Sequence, residues 1–171
     1  MIEREQRWVL RAVPTGLVDP IEISDRYIRD TELRLRRMKS ADEVIWKLGQ
    51  KTRVRPESPE IVNITNIYLR EHEYQILGQL QAATLAKTRR HWRRADRVLS
   101  VDEFHGRLTG LILAEIELEA DDDLLGLPEG AIADVTHDDR FSGGSLASLD
   151  ERCAEQLLAE VADQSTVINA E

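Results

Sequence analysis

The chain opens on Glu3-Arg4-Glu5-Gln6-Arg7, two carboxylates and a cation alternating with other residues. In a β-strand, residues i, i+2 and i+4 point to one face, so Glu3, Glu5 and Arg7 share a side. Same-face charge recurs in Arg34 and Arg36, Lys47 and Lys51, Lys87 and Arg89, and Glu115 and Glu117. Acidic pairs stand near both ends of the pattern and basic pairs in its middle. Carboxylate oxygens ligate hard divalent cations. Arginine takes phosphate oxygens in a bidentate fork, and lysine acts as a point charge. The pattern therefore suits a divalent cation beside a polyphosphate. Taken alone, each pair has a plainer explanation, a solvated face or an edge guarded against aggregation. A closed barrel with a charged interior explains all of them together.

The elements that must carry these side chains are mostly strands. Residues 2–13 alternate and end at Pro14-Thr15-Gly16. Residues 19–30 read as a helical turn followed by an extended segment. Residues 31–38 and 43–54 read as strands, and Arg55-Pro56-Glu57-Ser58-Pro59 as a turn. Residues 61–69 are rich in β-formers. Tyr74, Leu77, Leu80 and Leu85 then recur at helical spacing, which predicts a helix over 71–85. Residues 86–94, 97–104 and 108–119 predict three more strands. In the last, Ile112, Ala114, Ile116 and Leu118 form one face, and Leu111, Leu113, Glu115, Glu117 and Glu119 the other. Asp121-Asp122-Asp123 suits the start of a short helix. Ser142-Gly143-Gly144-Ser145 reads as a loop, and Leu149 to Val161 as an amphipathic helix. A loose tail is expected at 165–171. The chain reads as mainly antiparallel β with flanking helices, an α+β fold, in one domain over 1–164, with a sandwich or barrel architecture.

Composition bounds the function. Of 171 residues, 42% are hydrophobic and 32% charged, above the usual quarter. The net charge of −9 hides an asymmetry, a balance of +5 over residues 1–110 and −14 over 111–171. Overall acidity argues against a general nucleic-acid binder and leaves room for a small basic cavity. One cysteine, Cys153, excludes an intrachain disulfide and fits a reducing, cytoplasmic setting. Neither a secretory leader nor a membrane span is expected. His72, His91, His105 and His137 lack zinc-motif spacing and read as surface or loop residues. His91-Trp92-Arg93-Arg94 would stack a base; a hairpin tip with a cation–π contact is the simpler reading.

From Glu3 to about Ala147 the motifs, in order, resemble the CYTH family, also called triphosphate tunnel metalloenzymes. Glu3-Arg4-Glu5-Gln6-Arg7 resembles the family's Glu-x-Glu-x-Lys. Leu33-Arg34-Leu35-Arg36 matches its Leu-Arg-Leu-Arg strand, and Lys47-Leu48-Gly49-Gln50-Lys51 a strand ending in lysine. Lys87-Thr88-Arg89 matches its Lys-Thr-Arg. Val101-Asp102-Glu103-Phe104, with Ala114-Glu115-Ile116-Glu117, resembles its Val-Asp-x-Phe and the later Glu-x-Glu strand. Val135-Thr136-His137-Asp138-Asp139-Arg140 resembles its late Val-Thr-x-Asp-x-Arg segment.

The resemblance implies an eight-stranded closed antiparallel β-barrel forming a tunnel. It implies a small-molecule triphosphate held by Arg34, Arg36, Lys47, Lys51, Lys87, Arg89 and Arg140. It implies Mg²⁺ or Mn²⁺ on Glu3, Glu5, Asp102, Glu115 and Glu117, with Arg7, Lys51 and Lys87 in catalytic roles. Family activities include inorganic, thiamine and RNA triphosphatases and class IV adenylyl cyclase. The expectation is a metal-dependent triphosphatase acting on inorganic tripolyphosphate. The alternatives are a non-catalytic polyphosphate or nucleotide binder and a cyclase. No nucleic-acid or membrane partner is expected, and a homodimer is open. Three departures stand out. Arg7 replaces the usual lysine and exchanges no proton readily. Asn63, Thr65 and Asn66 are neutral where many members carry another Glu-x-Glu. Arg140-Phe141-Ser142-Gly143-Gly144 lacks the lysine of the family's Arg-Tyr-x-Asn-Lys.

Overall fold

Alternating side chains along extended backbone form nine strands among the described residues: β1 (Ile2–Leu10), β2 (Val18–Ile28), β3 (Leu33–Lys39), β4 (Val44–Arg53), β5 (Ile61–Leu69), β6 (Ala82–Arg94), β7 (Arg97–Phe104), β8 (Ile112–Leu118) and β9 (Ala131–Asp134). Three helices join them, α1 (Glu71–Leu77), α2 (Gly143–Ser148) and α3 (Glu151–Val167). The computed structural model describes residues 2–54, 61–94, 97–119 and 122–167, with side chains to residue 164.

β1 to β8 close on themselves in the circular order β1-β5-β4-β3-β2-β6-β7-β8, each pair antiparallel. Closure lies on β1. Its residues Ile2, Glu3 and Arg4 pair with Asn63, Val62 and Ile61 of β5. On its other edge Arg4 to Val9 pair with Leu118 to Leu113 of β8. β9 adds beside the second half of β1.

Two apolar clusters hold the barrel around its polar interior. At one end the inward row turns apolar. Val9, Leu85, Phe104, Leu111 and Leu113 pack against Phe141, against Leu146 and Ala147 of α2, and against Ala154 and Leu157 of α3. This plug closes part of the barrel space. The second cluster is on the outer face: Trp8, Leu10, Trp92, Leu99, Val101, Ile112, Ala114, Ile116 and Leu118, with Leu125 and Ala131 over it. Gln6, fully buried, pins that cover by donating to the Leu125 carbonyl and to Asp134 and accepting from the Leu125 amide. Each fully buried side chain of this size contributes about 1.5–3 kcal/mol.

The structure departs from the sequence expectation in several places. Residues 19–30 hold no helical turn. β2 takes ladder bonds from β3 and β6 on its two edges, which holds it extended. The helix over 71–85 stops at Leu77, because Ala82 to Ala86 are recruited to β6 opposite Ile28 to Ser24. Ser142 to Ser145 is not a loop. The Ser142 hydroxyl accepts from the Ser145 amide at 3.2 Å and caps α2. Residues 122–128 carry no helix. The Asp122 carbonyl accepts from Arg4 Nη1 at 2.6 Å, and its carboxylate pairs with Arg97. The turn at 55–59 and Asp121 lie outside the described residues. α3 starts at Glu151 and runs to Val167, while 168–171 lie outside the description. No helix among the described residues is long and apolar enough to cross a membrane.

Gly143 is the closest join between plug and barrel. A Cβ there would overlap the Tyr27 hydroxyl and stand 3.1 Å from Tyr27 Cζ. Gly143→Ala is expected to destabilise by about 1–3 kcal/mol through overpacking, read as a loss of about 2–4 °C in Tm per kcal/mol. Tyr27→Phe should recover part of that loss in the double variant; full additivity would show that the contact is not the cause.

Candidate active-site tunnel

The cation-rich wall comes from β2, β3 and β4. Register pairs Arg36 with Asp25 and Lys47, and Arg34 with Tyr27 and Gly49. Asp25, 2% exposed, accepts from Arg36 Nε and Nη2, both at 2.6 Å. Arg34 Nε lies 3.9 Å from the same carboxylate. Burial of Asp25 raises its pKa, but Arg36 and Arg34 outweigh it and hold the carboxyl below its ordinary range. Lys47 forms no ion pair among the described residues. Burial, then Arg36 and Arg34, pulls its ammonium down. Gly49 makes room for Asn66: a Cβ there would stand 3.0 Å from Asn66 Oδ1, and at ordinary contact, 3.8 Å, from Arg34 Nη2.

The facing wall is a chain of alternating charge. Lys87 donates to Asp102. Arg89 grips Asp102 through Nε at 2.7 Å and Nη2 at 2.6 Å, and also reaches Glu115. Arg7 Nε donates to Glu115 at 2.8 Å, its Nη1 to the Phe141 carbonyl at 3.2 Å, and its Nη2 to Glu5 at 3.5 Å. Lys51 completes the chain on Glu5 at 2.7 Å. Arg7 thus uses three prongs at once, which a lysine at this position could not match in one plane. Burial pushes Asp102 and Glu115 up. Arg89 and Lys87 at the first, and Arg7 and Arg89 at the second, outweigh it and hold both below the carboxylate range, Glu115 well below. Burial lowers the Lys87 ammonium despite Asp102. Burial would lower Arg7 as well, but Glu115 and Glu5 hold it above its ordinary value, a fixed cation.

Of the inward carboxylates of β1 and β8, Glu3 and Glu117 have no ion pair among the described residues. Burial, then Glu5, and further Glu117, pushes Glu3 up against the pull of Lys51. Glu5 and Glu117 are direct cross-strand partners. No three His, Cys, Asp or Glu among the described residues converge as a metal cage. Mg²⁺ does not need one, because it is commonly held by one or two carboxylates together with substrate phosphates and water. The mutually repelling Glu3, Glu5 and Glu117 fit that open arrangement.

A cavity of about 1390 Å³ joins the two walls. It is lined by Glu3, Glu5, Arg7, Arg34, Arg36, Lys47, Lys51, Lys87, Arg89, Glu115 and Glu117. Asp102 and Arg140, also named from the sequence, are elsewhere. Asp102 is fully buried behind Lys87 and Arg89 and serves them as counter-ion. Arg140 donates to Asp138 and to Glu160 of α3, both at 2.7 Å, and lies outside the cavity lining. The neutral trio on β5 does not share a face. Asn63 and Thr65 are exposed, and the inward row is Val62, Ile64 and Asn66. Asp25 and Tyr27 escaped the sequence reading. Their signal was the alternation Ile23-x-Asp25-x-Tyr27, broken up by an expected helical turn. His91 and His105 sit on Asp19 and Thr88, and Arg94 stacks over Trp92 at 4.3 Å, the simpler reading of that cluster.

Among solved structures, the chain is similar to the inorganic triphosphatase NE1496, with a TM-score of 0.59 and 21% identity over 86% of this chain and 95% of that one. It is also similar to the PH1819 protein from Pyrococcus horikoshii OT3, with a TM-score of 0.53 and 16% identity over 70% and 79% of the two chains. A conserved hypothetical protein from Pyrococcus furiosus gives 0.52 and 16% over 70% and 80%. No family model and no curated protein matches the sequence. At these identities the likeness shows the fold. The closed eight-stranded antiparallel barrel is the fold that the sequence resemblance implied.

Asp102→Asn leaves Lys87 buried without a counter-ion and Arg89 with Glu115 alone, a loss expected at about 3–5 kcal/mol. The folded Asp102 pKa is depressed, so its contribution is present above the unfolded value of about 3.9 and is lost as pH falls through the folded value. Urea unfolding at pH 7 should therefore separate the two proteins widely, and the gap should shrink as pH falls below 4. A pH-independent gap would mean that charge is not what Asp102 contributes.

Proposed function

We propose that the chain is a divalent-metal-dependent hydrolase of a triphosphate, with inorganic tripolyphosphate as substrate. The observation that carries this reading is the placement of opposite charge across one tunnel. β3, with Arg34 and Arg36, stands four places around the barrel from β8, with Glu115 and Glu117. Cations without a full carboxylate partner, Arg34 and Lys47, lie on one side. Carboxylates without a cation, Glu3 and Glu117, lie on the other.

Arg34, Arg36 and Lys47 would bind phosphoryl oxygens, with Lys51, Lys87 and Arg89 completing the clamp. Positioning and electrostatic stabilisation are most of what a protein supplies in phosphoryl transfer. Glu3, Glu5 and Glu117 would hold the cation. When bound, the metal supplies Lewis-acid polarisation of a phosphoryl oxygen and lowers the pKa of bound water. Arg7, pinned between Glu5 and Glu115, fixes the directions of both carboxylates and stays protonated throughout. The fold shared with a protein named an inorganic triphosphatase supports the substrate class.

The test is phosphate release from tripolyphosphate, ATP and thiamine triphosphate, each with Mg²⁺, Mn²⁺ or EDTA. Metal-dependent release is expected, greatest with tripolyphosphate. Removing a group that stabilises transition-state charge costs on the order of 10²–10³ in kcat, the loss expected for Arg34→Ala and Glu117→Gln. Binding without release, by folded protein, would replace hydrolysis with a polyphosphate-binding role.

A further inference from the structure

Asp25 is a barrel-interior carboxylate that the mechanism above does not use. It lies on the inner face of β2, between the lysine of β6 and the arginines of β3. It is 2% exposed and outside the cavity lining. Its two oxygens take Nε and Nη2 of Arg36 at 2.6 Å each, a fork that fixes a guanidinium in plane and direction. With that edge occupied, Arg36 keeps its remaining Nη1 edge for another acceptor. Arg34 Nε is buried, without a hydrogen-bond partner, 3.9 Å from Asp25 Oδ1. A small rotation would bring it onto the same carboxylate. The Arg34 Nη2 end lies beside Gly49, 3.8 Å from where a Cβ would stand.

We propose, resting on the triphosphate reading above, that Asp25 is a positioning residue for polyphosphate. It fixes the plane of Arg36 and is the anchor toward which Arg34 turns, so both guanidiniums present their outer edges to the tunnel together. Asp25 itself touches no substrate. A carboxylate among cations also has a competing effect, because its charge weakens the field that attracts an anion. The two effects have opposite signs. Neutralising Asp25 adds a positive charge to the wall, and by field alone tightens polyphosphate binding. Loss of positioning weakens it.

The experiment is calorimetric titration of inorganic tripolyphosphate into the full chain, with Mg²⁺ and with EDTA, beside steady-state phosphate release. D25N is expected to raise Kd about tenfold or more, the value of a charge-assisted hydrogen bond, and to raise KM by a larger factor than it lowers kcat. D25E keeps the charge and displaces the fork by one methylene; it should weaken binding in the same direction by less. In an Arg36→Lys background the fork is already lost, so D25N should add less than about threefold. Unchanged or tighter binding by folded D25N overturns the proposal, as does an equal effect of D25N in both backgrounds. If D25N does not fold by circular dichroism, D25E carries the test, and an unchanged Kd there overturns the proposal. Failure of the unsubstituted protein to bind tripolyphosphate overturns the triphosphate reading and the role of Asp25 with it. Normal binding that is indifferent to Asp25 overturns the role alone.

Discussion

An ion moved out of water without compensation costs several kcal/mol, and this barrel turns ions inward from nearly every strand. Its fold is viable because the charges are interleaved. Running from β6 through β7, β8 and β1 to β4, the wall alternates Lys87, Asp102, Arg89, Glu115, Arg7, Glu5 and Lys51, with a hydrogen bond or ion pair at each step. On the other wall Asp25 does the same for Arg36. Removing an interior member leaves each neighbour with one partner fewer, so these residues are structural and electrostatic at once. The groups this interleaving leaves over are Lys47, Glu3 and Glu117, with Arg34 held only loosely, 3.9 Å from Asp25.

Such an interior contributes little net stability, so burial elsewhere must supply it. The two apolar clusters do this without intruding on the tunnel. The plug uses the same inward row as the ion chain, continued one step further. Val9 follows Arg7, Leu113 precedes Glu115, and Leu85 precedes Lys87 along their strands. The outer cluster uses the opposite face of β1, β7 and β8, sealed by the segment that Gln6 holds down. β1, β7 and β8 are therefore gripped on both faces, which limits how far their side chains drift.

Much of this was legible because period-2 alternation is a local signal. Glu3/Glu5, Arg34/Arg36, Lys87/Arg89 and Glu115/Glu117 declare their shared faces without any knowledge of partners. The change from Leu111 and Leu113 to Glu115 and Glu117 along one face also marked where plug gives way to tunnel. What stayed hidden depends on tertiary partners. Asp102 has the residue type and strand position of a ligand, and only the register against Lys87 and Arg89 makes it a counter-ion. Asp25 fell in a stretch read as a helical turn followed by an extended segment, and pairing with β3 and β6 on its two sides puts it on a strand. Leu77, Leu80 and Leu85 keep helical spacing, yet β2 claims the residues from Ala82 onward. Two glycines argue against a helix, and α2 forms there because Ser142 caps it and Tyr27 leaves no space for a side chain.

The charge asymmetry of the chain takes on a physical meaning once it is folded. Acidic residues of its second half lie at the rim of the cavity as well as inside it, with Asp138, Asp139 and Asp150 joining Asp30 and Glu32 there. The rim cations are largely engaged. Arg53 pairs with Asp139, and Arg107 donates to the Leu146 and Ala147 carbonyls at the end of α2. A polyanion approaching alone meets like charge before it reaches Arg34 and Arg36. Under the proposed function, its complex with a divalent cation carries less charge and passes this rim more readily. The same neutralised complex then delivers the cation toward Glu3 and Glu117 and the phosphates toward the β3 and β4 cations. Under that function, spare cations on one wall, spare carboxylates on the other and acids at the rim would together favour metal and anion arriving as one complex.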